Sequence, residues 1–273
     1  MNNNGYGPER QSMSKARAER KKRRQRKRRA IILLVTFVVF FAAIAILCVT
    51  CFFKIKAVHA SGKTRYSSEQ IIENCGIKVD DNMLLVLQKN VKKTLSARLP
   101  YVDEVTLIKK IDGSIEVRVS EAKAAYSMEQ GGLNYLMSDK MVLLEISENR
   151  FDNTILLQGL ELKDFVLGEV AEFVDPDSKE VYIEVLKLLE AKGIRVETVN
   201  ASDPADLVLT VDEKYAVKLG SDRYLEKKIN HLGAMLEKIN NDLTGVIDLS
   251  YWSPENTEGY FKQQEIDQYL KKQ

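Results

Sequence analysis

The sequence predicts an α+β chain in five parts: a basic tail (residues 1–29), one transmembrane helix (30–53), a β-α-α-β-β domain (54–122), a mixed β-rich domain with two helices (123–262) and a C-terminal tail (263–273). Three observations predict it. A run of charge stops abruptly at a long uncharged apolar segment. Beyond it, helical spacing of apolar residues alternates with two-residue spacing. Some 220 residues follow the apolar segment, enough for two ordinary domains.

The tail and the span come first. Eight of the nine residues Lys21–Arg29 are Lys or Arg, and residues 1–29 carry a net +10. From Ala30 to Phe53 there are 24 residues with no charge, Gly or Pro. At about 1.5 Å per residue a helix of that length reaches roughly 36 Å, enough for a hydrocarbon core of about 30 Å with some tilt. Basic residues beside a span stay on the cytoplasmic side and rest on anionic headgroups. The expected topology is therefore single-pass, with the N-terminus inside and the bulk outside. A cleaved signal peptide has a shorter apolar core and an A-x-A-like site, which Ala57-Val58-His59-Ala60 does not supply. A nucleic-acid tail is the other reading of the basic run. The adjoining span already accounts for the charge.

The net charge of +2 hides an asymmetry, since removing the tail leaves −8 for residues 30–273. A mildly acidic outer part does not suggest nucleic acid. Cys48 and Cys51 fall inside the span and read as small apolar filler. Cys75 is the only outer cysteine, so no intramolecular disulfide forms there. That suits a bacterial surface where oxidative folding is not relied upon.

In residues 54–122, "IKAVHASG" reads as a short strand. "SSEQIIENCGI" reads as a short helix with a Ser67/Gln70 capping box and Gly76 as a left-handed stop. Leu84, Leu87, Val91, Leu95 and Leu99 predict a second helix that ends at Pro100. "YVDEVTLIKKI" and "SIEVRVSEA" form a hairpin through Asp112-Gly113, with Ile115, Val117 and Val119 on one face.

In residues 123–262, "LNYLMSDKMVLLEI" reads as two strands around Ser138–Lys140, and "TILLQGL" as another. A helix is expected over about 178–192, capped by Asp177 with Val181, Val185, Leu188 and Leu189 inward and Gly193 at its end. A second is expected over about 222–239, with Leu225, Ile229, Leu232, Leu236 and Ile239 inward. Strands are expected near Arg195–Asn200, Leu207–Val211, Tyr215–Leu219, Thr244–Tyr251 and in "EGYFKQ".

Catalytic signatures are sparse. There is no G-x-S-x-G, H-E-x-x-H, P-loop or G-x-G-x-x-G after a strand. His59 and His231 are the only histidines, and one outer Cys with two distant His does not make a zinc site. Asp80-Asp81, Asp103-Glu104 and Asp212-Glu213 read as solvated charge at loops and strand ends. No cofactor, metal or small-molecule substrate is implied. Protein binding through strand edges and the terminal aromatics Tyr251, Trp252, Tyr260 and Phe261 is the alternative, although such aromatics serve equally as core.

The order β-α-α-β-β directly after a span resembles a POTRA domain. "IKAVHASGKTRYSSEQIIENCGIKVDDNMLLV" and "ARLPYVDEVTLIKKIDGSIEVRVSEAKAAY" are similar to the POTRA module of the FtsQ/DivIB family of bacterial division proteins. "LLQGL", "AVKLGSDRYLEKKINHLGAMLEKI" and "GVIDLSY" extend the likeness along the chain. The chain departs from the family pattern after Glu121, where neither the usual Arg nor the usual Pro is present, and at Ser250, where the family usually has Arg. The resemblance implies a non-enzymatic bitopic scaffold of the divisome in the bacterial plasma membrane at the septum, supporting septal peptidoglycan synthesis. It implies FtsL-type and FtsB/DivIC-type bitopic partners held by the last strands. By position, Tyr251, Ser253, Tyr260 and Phe261 are the partner-facing residues. A membrane-anchored cell-wall enzyme and a POTRA-type assembly factor are the alternatives. The second normally brings several POTRA repeats or a transmembrane barrel.

Overall fold

In a computed structural model of the chain, the structure describes residues 27–29, 31–44, 47, 53–240, 242–266 and 269. Residues 27–29, 31–44 and 47 are helical. Among the described residues no helix is long and apolar enough to cross a membrane. The expected span of residues 30–53 falls only partly within the described residues, and Cys48 and Cys51 lie outside them. Every large apolar side chain from Ile31 to Phe41 is more than half exposed, so this stretch belongs to no protein core.

The first unit has the expected order: β1 (Ala57–Lys63), α1 (Ser68–Asn74), α2 (Gln88–Arg98), β2 (Val102–Lys109) and β3 (Ser114–Glu121). Its sheet runs β1-β3-β2, with β1 parallel and β2 antiparallel to β3. The period of two puts Ile115, Val117 and Val119 under the helices, all buried. The capping box is present: Ser67 Oγ accepts the Gln70 N–H at 3.2 Å and Gln70 Oε1 accepts the Ser67 N–H at 2.9 Å. Gly76 takes φ +73° after the helix.

The second helix starts later than its leucine spacing predicts. Asn82 Oδ1 accepts the Leu84 N–H at 2.9 Å and its carbonyl accepts the Leu85 N–H at 3.0 Å, which turns the chain before the helix begins. Leu84 and Leu87 are left exposed, whereas Val91, Leu95 and Leu99 are buried as expected.

The second unit is built on a nine-stranded sheet in the order β14-β13-β12-β11-β10-β7-β4-β5-β6. The strands are β4 (Ala124–Gln130), β5 (Leu133–Ser138), β6 (Leu143–Ser147), β7 (Ile155–Gln158), β10 (Val196–Asn200), β11 (Leu207–Val211), β12 (Tyr215–Gly220), β13 (Gly245–Asp248) and β14 (Tyr260–Gln263). A small hairpin of β8 (Leu162–Asp164) and β9 (Glu172–Phe173) stands apart. Helices α3 (Pro176–Ala191) and α4 (Leu225–Leu236) complete the core through Tyr182, Val185, Leu189, Leu225, Ile229 and Leu232.

Both helix starts differ from expectation. α3 is capped by Asp175 rather than Asp177. The Asp175 carboxylate accepts the Asp177 N–H at 3.0 Å and the Ser178 hydroxyl at 2.6 Å, with Pro176 at the first helical position. α4 begins at Leu225 because Tyr224 stands at φ +60°, a left-handed conformation no helix continues through. The expected tail is also drawn differently. β14 runs to Gln263, and Ile266 is buried with Ala216 and Val246.

The two units meet at Tyr101. Its hydroxyl donates to Glu145 of β6 at 2.6 Å, and the Arg65 guanidinium lies 3.4 Å from its ring centroid. Asp103, expected to be solvated, receives Lys140 Nζ from the second unit at 2.7 Å. Gly168, after β8, closes the junction: a Cβ there would lie 1.8 Å from the Ser96 carbonyl oxygen of α2.

Candidate functional site

The last three strands form one corner of the large sheet, and β14 is its edge. β13 and β14 pair antiparallel, with Gly245 opposite Gln263 and Asp248 opposite Tyr260. The Gln264 N–H donates to the Thr244 carbonyl at 3.3 Å. Hydrogen-bonded pairs alternate along an antiparallel ladder, so Tyr260 and Lys262 turn their backbone groups towards β13. Phe261 and Gln263 turn theirs away from the sheet. β13 shows the same parity, since the Gly245 and Leu249 N–H groups donate to Lys214 and Lys218 carbonyls on the β12 side. Among the described residues no strand pairs with the outer side of β14.

Three glycines let this corner close. At Gly220 (φ +65°) a Cβ would stand 2.8 Å from the Ser250 Cα, and at Gly245 one would stand 2.3 Å from the Lys262 carbonyl oxygen. At Gly259 one would meet Leu249 Cδ2 at 2.6 Å and Met235 Sδ at 2.7 Å. Asp248 Oδ1 accepts the Ser250 N–H at 2.9 Å, and that turn ends β13 at Asp248, short of the expected Tyr251.

The four site residues expected from the sequence are all within or beside this corner. Tyr251 is 79% exposed and Tyr260 is 56% exposed, which makes them the free aromatic surface there. The Tyr260 hydroxyl donates to Glu258 at 2.5 Å, and that carboxylate holds the phenol above its usual range. Ser253 is half-buried. Its Oγ and carbonyl engage Asn256 in a tight turn, where Ser253 and Asn256 exchange both backbone hydrogen bonds. Phe261 is half-buried, with its ring packed on the core 6.2 Å from that of Tyr215. What Phe261 leaves open is its backbone. Trp252, the fourth terminal aromatic, is core: 8% exposed, with its ring 6.3 Å from Tyr224 and 6.4 Å from His231.

One residue behind the corner escaped sequence reasoning. Lys228 of α4 is 1% exposed, and its Nζ donates to the carbonyls of Leu219 and Ser221, each at 2.7 Å. Burial pulls its pKa down, with Asp222 opposing. This lysine pins α4 to the end of β12 and so backs the strand next to β13. Its only sequence signal was a Lys one position before Ile229 of the inward stripe.

A second concavity opens where β7 starts late between β4 and β10. Its lining carries Asp139, Asp152, Glu190, Glu197 and Glu213 but neither histidine. Burial raises the Glu197 carboxyl, and that carboxylate accepts the Glu213 N–H at 3.1 Å. Among the described residues no group of three or more His, Cys, Asp or Glu side chains is placed to hold a metal ion.

Comparison with known proteins covers both units. Residues 53–122 match the family model described as POTRA domain, FtsQ-type. Over 220 residues the chain is 28% identical to cell division protein DivIB of Clostridium acetobutylicum, covering 76% of this chain and 85% of that protein. The DivIB of Clostridium botulinum strain Loch Maree is 26% identical over 224 residues, covering 76% and 84%. Residues 53–122 thus form an FtsQ-type POTRA domain, and the chain as a whole is similar to the DivIB and FtsQ cell division proteins. Cell division protein FtsQ of Geobacter sp. strain M21 is similar over a shorter stretch, 29% identical across 109 residues and 39% of each chain. The POTRA match coincides with the three-stranded unit, and the DivIB likeness extends into the nine-stranded one.

Proposed function

We propose that this chain is a member of the FtsQ/DivIB family and acts as a non-enzymatic, single-span scaffold of the bacterial divisome. Its tail (1–29) is cytoplasmic, residues 30–53 cross the plasma membrane, and the POTRA domain (54–122) and β-domain (123–262) stand outside at the septum. There it supports septal peptidoglycan synthesis by holding FtsL-type and FtsB/DivIC-type bitopic partners. The uncharged 30–53 run and the exposed apolar side chains of Ile31–Phe41 support the span. The relatives' names, cell division proteins DivIB and FtsQ, support the role.

The observation that carries the partner reading is the open outer side of β14. A partner strand laid against it gains main-chain hydrogen bonds from Phe261 and Gln263, which is β-augmentation. Tyr260 and Tyr251 are positioned as aromatic anchors beside that strand, and Ser253 fixes the turn between them. Full-length protein in detergent, titrated with the partners' outer segments, tests it. Tyr251→Ala and Tyr260→Ala are expected to weaken binding by about tenfold or more each, the loss typical of an interface hot spot. Undiminished binding by both, with melting unchanged, would move the site away from this edge.

A further inference from the structure

The entry end of the POTRA unit carries an apolar surface that the partner site does not use. Phe53, Val79, Leu84, Leu85, Leu87 and Ile111 are all exposed, Leu85 at 76% and Ile111 fully. They come from three separate segments, yet the fold gathers them at one end. The Met83 N–H donates to the Phe53 carbonyl at 2.7 Å, and the Ile55 and Asp80 N–H groups bind Asp81 and Ile55 carbonyls. The segment from Val79 to Leu85 therefore runs beside the incoming chain. The β2–β3 turn is held there as well. The Lys56 N–H donates to the Gly113 carbonyl at 2.9 Å, and Lys109 Nζ reaches the Val86 carbonyl at 2.8 Å. Isolated exposed apolar residues are ordinary, whereas several gathered from different loops mark a contact surface.

Chain continuity says which contact. Phe53 is both a member of this surface and the last residue of the 24-residue uncharged apolar run. Whatever solvent holds that run lies within a residue or two of Leu84 and Leu85. Exposed Lys54, Lys56, Lys109 and Lys110 rim the apolar tips together with Asp80, Asp81 and Asp112, a mixed polar rim of the kind that sits among headgroups above acyl chains. We propose that the outer leaflet of the membrane is the occupant: Leu84, Leu85 and Ile111 dip into the headgroup–acyl boundary and seat the POTRA unit on the bilayer. This rests on reading residues 30–53 as a span. It fixes the tilt of the outer region, and with it the direction in which β14 is presented.

The test uses the full chain in vesicles of phosphatidylcholine and phosphatidylglycerol with brominated acyl chains, which quench nearby tryptophan. Trp252, the single native Trp, is the internal reference. Leu85→Trp and Ile111→Trp add a reporter at the two most exposed tips, and Tyr251→Trp adds an exposed one at the terminal edge. All three replaced side chains are solvent-facing, so circular dichroism is expected to stay unchanged. The expected result is co-flotation with the vesicles, with a blue shift and loss of the added emission at positions 85 and 111 only. Co-flotation with no more quenching at 85 and 111 than at 251 or 252 would overturn the proposal and leave the span intact. Failure of the chain to float with the vesicles would overturn both.

Discussion

At the residue scale the terminal corner depends on two residues that lie behind the partner edge. Lys228 satisfies two carbonyls at once, the buried one of Leu219 and the half-buried one of Ser221. Lys228→Ala leaves both without their donor, and an unsatisfied buried group such as the Leu219 carbonyl costs about 1–3 kcal/mol, so a loss of at least that size is expected by denaturant titration. Gly220 is the second. Its φ of +65° disfavours any side chain, and the Cβ would press on the Ser250 backbone, which cannot swing away as a flexible side chain does. Gly220→Ala is expected to cost about 1–3 kcal/mol and to lower the melting temperature. The glycine of the V-x-L-G stretch thus has a packing reason: β12 and the end of β13 approach too closely for anything larger.

At the scale of elements, the parity of β14 separates folding from binding. The Lys262 N–H faces β13, opposite Val246, while the Gln263 N–H faces outward. Proline removes an N–H wherever it is placed. Lys262→Pro is therefore expected to unpair the edge strand and lower the melting temperature. Gln263→Pro is expected to leave melting close to the unaltered protein and abolish partner capture. Equal partner binding by Gln263→Pro and the unaltered chain, in a pull-down with the FtsB/DivIC-type segment, would rule out strand addition here. β4 is a strand made by its neighbours rather than by its own residues. Ala124–Gln130, "AAYSMEQ", has no β-branched residue and no clean alternation, and it was not foreseen as a strand. Pairing with β5 on one side and β7 on the other makes it one.

At the scale of the whole molecule, Tyr101 joins the two units. Burial and the Glu145 hydrogen bond push its phenol up to about 12, against about 10 in an unfolded chain. A raised folded-state value means the contribution is fully present below about pH 10 and is lost as pH rises towards about 12. Ultraviolet titration is expected to show a late-ionising phenol that disappears in Tyr101→Phe. That variant is also expected to unfold with less alkaline sensitivity than the unaltered chain between those pH values. Tyr182 is likewise raised to about 12 by burial, so its late ionisation remains in the variant as an internal control.

Local signals were legible in the chain alone. The β-α-α-β-β order, the Ser67/Gln70 box, Gly76, the Asp112-Gly113 hairpin and the strands from Arg195 to Leu219 all follow from periodicity and turn chemistry, which act within a few residues. The terminal corner was legible as a place, because its segments lie close in sequence and carry family-like motifs. Its geometry was not. Which aromatic faces water and which fills the core depends on α4 and β12, so Trp252 and Phe261 looked like Tyr251 and Tyr260 until the sheet was assembled. The same holds for Asp103 and Lys228. Their neighbours, Lys140 and the ends of β12, arrive from elsewhere in the chain, and only tertiary packing brings buried charge and its partners together. The edge position of β14 is of this kind too, since strand order in a nine-stranded sheet is set by long-range pairing rather than by any one segment's pattern.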